Sequence, residues 1–129
     1  MLLTHLVVTA RDLQARAEAF AVDVLKLCAM LPLSAEGRNI RDQLGRAATS
    51  AAANYRATCR ARSRDEFIAK LGLVVEEADE AHMWLGMVAQ LKLSSHPDLE
   101  RLRNEANELV AIFVAGRRTA VSRRKNRRT

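Results

Sequence analysis

The sequence predicts an all-α fold, an antiparallel up-down-up-down four-helix bundle, and three observations carry that prediction. Ala, Leu, Arg and Glu dominate the 129 residues, and all four are good helix formers. Gly (5) and Pro (2) are too scarce for a loop-rich fold. Apolar residues recur at helical spacing in four long segments joined by short connections. The length suits one domain with a real core, and 49% hydrophobic with 28% charged residues is ordinary for a globular protein.

The first helix is expected over residues 12–31, where Leu13, Phe20, Val24, Leu27 and Leu31 share one stripe. Thr9 to Asp12 has the form of a capping box, with Thr9 as N-cap and Asp12 three residues on. Pro32 ends the segment. The second helix, residues 37–61, gathers Ile40, Leu44, Ala47, Ala48 and Ala51 on one side. Its run 47–53 has no bulky side chain, so a neighbouring helix can approach closely. Ser63 with Glu66 is a second capping signature and starts a third helix over residues 64–93. Pro97 suits the first turn of a fourth helix over residues 97–120, with Leu99, Leu102, Ala106, Leu109, Val110 and Phe113 inward. Residues 1–120 make up the bundle. Residues 121–129 hold too little apolar surface to pack and are expected to form a basic, disordered tail.

The third helix is apolar on two sides. Phe67, Leu71, Val74, Ala78 and Leu85 form a core stripe, while Leu73, Trp84, Met87 and Leu91 cluster more than about 90° away, beside Glu80. A helix with two apolar sides needs two partners. Either the stripe is wide and tucks beneath a neighbouring helix, or Leu73, Trp84, Met87 and Leu91 form an oligomer interface anchored by Trp84.

Charge is sorted along the chain. The net charge of +6 is a property of the C-terminus: residues 117–129 carry seven Lys or Arg and no acid, leaving fourteen basic and fifteen acidic residues elsewhere. Residues 38–64 hold seven Arg against Asp42 alone, and residues 65–91 hold six acids against Lys70 alone. Arg38, Arg46, Arg56 and Arg60 fall within about 80° on the helical wheel, opposite the Leu44/Ala51 stripe. Arg62 and Arg64 continue this row at the helix corner.

Arginine binds phosphate bidentately and stays charged, so such a row suits a nucleic-acid backbone. The competing reading pairs these arginines with Glu76, Glu77, Asp79 and Glu80 of a neighbouring helix or subunit. The C-terminal cations Arg117, Arg118, Arg123, Arg124, Lys125, Arg127 and Arg128 favour nucleic acid, because intramolecular pairing does not account for so many. Aromatic residues are only 4%, which argues against readout of bases by stacking.

Catalytic chemistry finds no footing. Cys28 and Cys59 lie in helical patterns and read as buried thiols, and neither has a histidine nearby in sequence. Asp79 and His82 have the spacing of a bundle metal ligand pair, but the matching motif on a second helix is missing. No Gly-rich phosphate loop is present, and no cofactor is expected. The protein is expected not to be an enzyme. The opening MLLTHLVVTA lacks a basic stretch and is too short and broken for a membrane span, so a cytoplasmic protein without membrane association is expected.

Ile40 to Leu85 resembles the four-helix bundle protein family known from intervening sequences of bacterial 23S rRNA genes, related to the accessory variability proteins of diversity-generating retroelements. The matching residues are Gln43, Arg46-Ala47, Ser50, Ala53 to Ala57, Arg60, Ser63, Phe67, Leu71, Glu77 to Glu80 and Trp84-Leu85. The resemblance implies an antiparallel bundle, often a ring-shaped homopentamer, in a nucleic-acid-associated role without catalysis. RNA is the implied ligand, and the retroelement relatives imply a reverse transcriptase as a partner. The N-terminal decapeptide and the Arg-rich C-terminus have no counterpart in that pattern.

Overall fold

The structure, a computed structural model, describes residues 9–128, with side chains placed through Asn126. Four helices follow in order: α1 (Ala10–Cys28), α2 (Ala35–Thr58), α3 (Arg64–Gln90) and α4 (Asp98–Arg128). Each packs against its sequence neighbours and α4 closes on α1, so α1 and α3 occupy diagonal corners.

Pairs across the seams fix the directions. Between α1 and α2, Leu25 lies against Gly45 and Glu18 faces Arg56. Between α2 and α3, Arg46 meets Glu80 while Ser50 meets Glu77. Between α3 and α4, Ile68 meets Arg117 and Asp65 meets Arg124. Between α1 and α4, Arg16 meets Glu105 and Asp23 meets Arg101. In every pair the residue number rises on one helix as it falls on the other, so all four seams are antiparallel.

The expected starts hold. The Thr9 hydroxyl accepts from the Asp12 N–H and the Asp12 carboxylate accepts from the Thr9 N–H, completing the capping box. Ser63 caps α3 by accepting from the Glu66 N–H, but Glu66 reaches back to the Arg62 N–H rather than to Ser63. Ser34 caps α2, which begins at Ala35, two residues ahead of the expected start. At the head of α4, the His96 Nδ1 accepts from the Asp98 N–H.

The first three helices end about three residues early, because their last turns tighten. Met30 and Leu31 donate back to Leu27 and Cys28, and Arg60 and Ala61 to Ala57 and Thr58. At the end of α3, Lys92 takes the left-handed conformation (φ 54°), while the Lys92 and Leu93 N–H groups bond to the Ala89 and Val88 carbonyls. That is a Schellman ending made without glycine.

The core is as expected on α2 and α4. Leu44, Ala47 and Ala48 are sealed, as are Leu102, Ala106 and Leu109, and the Tyr55 and Phe113 rings meet with centroids 5.1 Å apart. Cys28 is buried, and that burial pushes its thiol up to about 11. Cys59 departs from expectation: it is exposed, because it is the C-cap residue beyond the last packed turn of α2.

The C-terminus departs further. The expectation ended the helix at Ala120 and left residues 121–129 disordered, yet α4 continues to Arg128. Three causes are visible. No Gly or Pro interrupts residues 117–128, Ala120 is buried, and Arg124 reaches Asp65 on α3 at 3.1 Å. Cations in the last turns also complement the negative end of the helix dipole.

Candidate nucleic-acid interface

The arginine row of α2 does not behave as one unit. Arg46 is engaged by α3: its guanidinium donates to both Glu77 oxygens, at 3.0 and 3.3 Å, and to Glu80. Ser50 donates to Glu77 at 2.7 Å, Asn54 donates to Ser50, and the Trp84 indole N–H donates to Glu80 at 3.1 Å. Asn54, Ser50, Glu77, Arg46, Glu80 and Trp84 thus form one polar chain across the α2–α3 seam. Asn54 takes part through its own helix, donating to Ser50 one turn back. Arg56 is held loosely, 3.8 Å from Glu18. Arg38 and Arg60 are exposed, with no carboxylate partner among the described residues, but Arg38 is in the first turn of α2 and Arg60 in the turn after its end, roughly 30 Å away.

Five further unengaged cations gather at one end of the bundle, where the α2–α3 corner meets the C-terminal part of α4. Arg62, Arg64 and Arg123 line a cleft of about 550 Å³ together with Ser63, Phe67 and Thr119. Arg118 and Lys125 border a shallower neighbouring hollow of about 340 Å³. None of these five has a carboxylate partner among the described residues. Two other C-terminal cations are tied down. Arg117 donates to the Ile68 carbonyl at 3.2 Å, crossing α3 at Gly72, and Arg124 is paired with Asp65. The side chains of Arg127 and Arg128 lie outside the described ones.

The seam network has a pH signature. The Glu80 carboxyl is held below its ordinary value of 4.5, first by the Trp84 N–H and then by Arg46. A carboxyl depressed in the folded state stabilises the fold above its ordinary value, and that contribution is lost as pH falls through the folded value. Thermal unfolding between about pH 5 and pH 3 is therefore expected to shift to lower temperature, and Glu80→Gln is expected to flatten this dependence. Equal slopes in wild type and variant would refute the assignment. About a third of the Glu80 side chain and nearly half of that of Arg46 remain exposed, so solvent screening keeps the effect modest.

The apolar second side of α3 divides. Trp84 and Met87 are half-buried and pack against the core, whereas Leu73 and Leu91 are exposed. Trp84 therefore serves the α2–α3 seam through its ring and its N–H. Met83 is exposed too, and on the diagonal helix and the turn after it Val22, Leu25, Met30 and Leu33 are exposed. Sequence periodicity missed this α1 face, because Phe20, Val24 and Leu27 already accounted for a core stripe.

Among the described residues no group of three or more His, Cys, Asp or Glu side chains could hold a metal ion, and no helix is long and apolar enough to cross a membrane.

Family comparison matches residues 11–115 to the 23S rRNA-intervening sequence protein family. The chain belongs to that family. Among solved structures it is similar to a protein of unknown function from the S23 ribosomal protein family of Bacteroides thetaiotaomicron, at 25% identity and a TM-score of 0.74, over 84% of this chain and 97% of that one. No curated protein matches the chain significantly. The family match stops at residue 115. Arg62 and Arg64 lie within the matched region, whereas Arg118, Arg123 and Lys125 lie beyond it.

Proposed function

We propose that this chain is a non-catalytic, oligomeric nucleic-acid-binding scaffold of the cytoplasm that contacts RNA backbone through the basic end of its bundle. The carrying observation is the segregation of cations. Arg46 and Arg124 are held by acids across helix seams, whereas five cations without a carboxylate partner among the described residues collect at the α2–α3 corner and along the end of α4. A cluster of like charges repels itself, and polyanions relieve that repulsion by exchanging counterions for arginines. RNA is favoured over DNA by the family's tie to intervening sequences of 23S rRNA. An accessory role beside a reverse transcriptase is the most specific form of this reading and rests on the resemblance alone.

Two exposed apolar faces support the assembly reading. Val22, Leu25, Met30 and Leu33 lie on one corner, and Leu73, Met83 and Leu91 on the diagonal one. Two unlike patches on opposite corners suit a head-to-tail contact, which closes into a ring when the rotation allows, a pentamer in the proposed form. Arg46 favours the competing protein-contact reading for its own position, since α3 already satisfies it.

The test is a titration of unstructured RNA and DNA oligonucleotides from about 50 to 200 mM salt, with the mass of the assembly measured by light scattering. Affinity is expected to fall steeply with salt, with RNA above DNA and little sequence preference, and the mass is expected to be that of five chains. Absent or salt-insensitive binding overturns the nucleic-acid reading, and a monomeric mass overturns the ring.

A further inference from the structure

The cleft at the α2–α3 corner is built for more than a passing backbone. Its volume of about 550 Å³ lies within the range of small-ligand clefts, about 300–1,000 Å³. Three arginines, Arg62, Arg64 and Arg123, share it with the Phe67 side chain, which is only partly buried.

The nearest carboxylates are already engaged. Asp65 faces Arg124, and Glu66 accepts from the Arg62 N–H and lies 4.0 Å from Lys70. The Ser63 hydroxyl accepts from the Glu66 N–H at 3.1 Å, which leaves its own proton to donate. The cleft therefore presents three uncompensated guanidiniums, a hydroxyl donor and an aromatic surface to one small volume.

A phosphodiester inside a strand brings one negative charge. A phosphomonoester brings about 1.5 to 2 at pH 7, with three strong acceptor oxygens. Guanidinium forks match those oxygens bidentately, and an aromatic face gives the adjoining base a stacking surface.

We propose that this cleft binds the phosphomonoester end of a nucleic-acid strand, with the phosphate on Arg62, Arg64 and Arg123 and the terminal base against Phe67. The proposal rests on the nucleic-acid reading above and makes that reading specific for strand ends.

The test uses the full chain and 12-nucleotide RNAs of one sequence bearing a 5′-phosphate, a 3′-phosphate or hydroxyls at both ends, with 5′-AMP as competitor. One phosphorylated end is expected to bind about tenfold tighter than the hydroxyl-ended strand, the gain of a single charge-assisted contact. The arm that gains identifies the end, and 5′-AMP is expected to remove the preference if that end is the 5′ one.

Arg123→Gln is expected to erase the difference between phosphorylated and hydroxyl-ended RNA, with binding of both lowered by the loss of one phosphate contact. Arg64→Gln serves as the second variant, with folding of both checked by circular dichroism. Equal binding of all three RNAs, or a preference that survives both substitutions, overturns the proposal and leaves backbone binding standing. Loss of all RNA binding at low salt overturns both.

Discussion

Replacing Arg62, Arg64, Arg118, Arg123 and Lys125 together by Gln is expected to lower affinity for single-stranded RNA by roughly two to three orders of magnitude at low salt. The slope of log K against log salt should shrink by about 0.7 for each phosphate that is no longer neutralised, so by roughly 3 if most of the five engage. Arg46→Gln, made in the same row that the sequence singles out, is expected to leave both quantities nearly unchanged.

The difference follows from what each guanidinium must give up. Arg46 has Glu77 and Glu80 as partners, so binding a phosphate means breaking those ion pairs first. Among the described residues Arg62, Arg64 and Arg123 have no carboxylate partner to leave, so their cost is desolvation and ordering. Arg46→Gln should instead show in stability, because it leaves Glu77 and Glu80 without their cation, although solvent screening keeps that loss small. Filter binding or fluorescence anisotropy across salt, with chemical denaturation of each variant, reads both effects. If Arg46→Gln proves as damaging to binding as the fivefold variant, the basic end is not the interface and the α2 face is.

That contrast marks where sequence reasoning stops. Helix number, caps and core stripes were legible because each depends on residues within one or two turns: Thr9 with Asp12, Ser63 with Glu66, and Leu44 with Ala47, Ala48 and Ala51. The motif that carries the family resemblance was legible as a pattern, but its meaning was not. Arg46, Ser50, Asn54, Glu77, Glu80 and Trp84 turn out to stitch one seam, which depends on the register between α2 and α3.

The candidate site was half legible for the same reason. Charge counting found every arginine involved, yet no helical wheel separates Arg46 from Arg60. Only the packing of α3 on α2 does so. The cleft joins residues 61–67 to residues 116–123, a separation that only the antiparallel register of α3 and α4 closes. Periodicity also undervalued the C-terminus, since a helix stabilised by one buried alanine and one ion pair to Asp65 looks like a polar tail when read alone.

Gly37→Ala and Gly86→Ala are the same substitution in two helices, and they are expected to shift stability in opposite directions. In a helix with open space around it, exchanging Gly for Ala gains about 0.5–1 kcal/mol, because the unfolded chain loses freedom and the helix gains propensity. Gly86 meets that condition: a Cβ there has nothing within 4 Å. Gly37 does not. A Cβ there falls 2.0 Å from the Pro32 carbonyl oxygen and 3.1 Å from the Ser34 hydroxyl that caps the helix.

A backbone carbonyl has no rotamer into which to retreat, so the turn joining α1 to α2 must shift as a unit. That shift disturbs the Ser34 cap, worth about 1 kcal/mol, and adds strain of about 1–3 kcal/mol. Both exceed the propensity gain, so Gly37→Ala is expected to lower stability by roughly 1–3 kcal/mol. Urea denaturation of the two variants beside wild type measures the pair. A midpoint for Gly37→Ala at or above that of wild type would mean that the turn accommodates a methyl group and that the close approach of Pro32 to α2 does not constrain the fold.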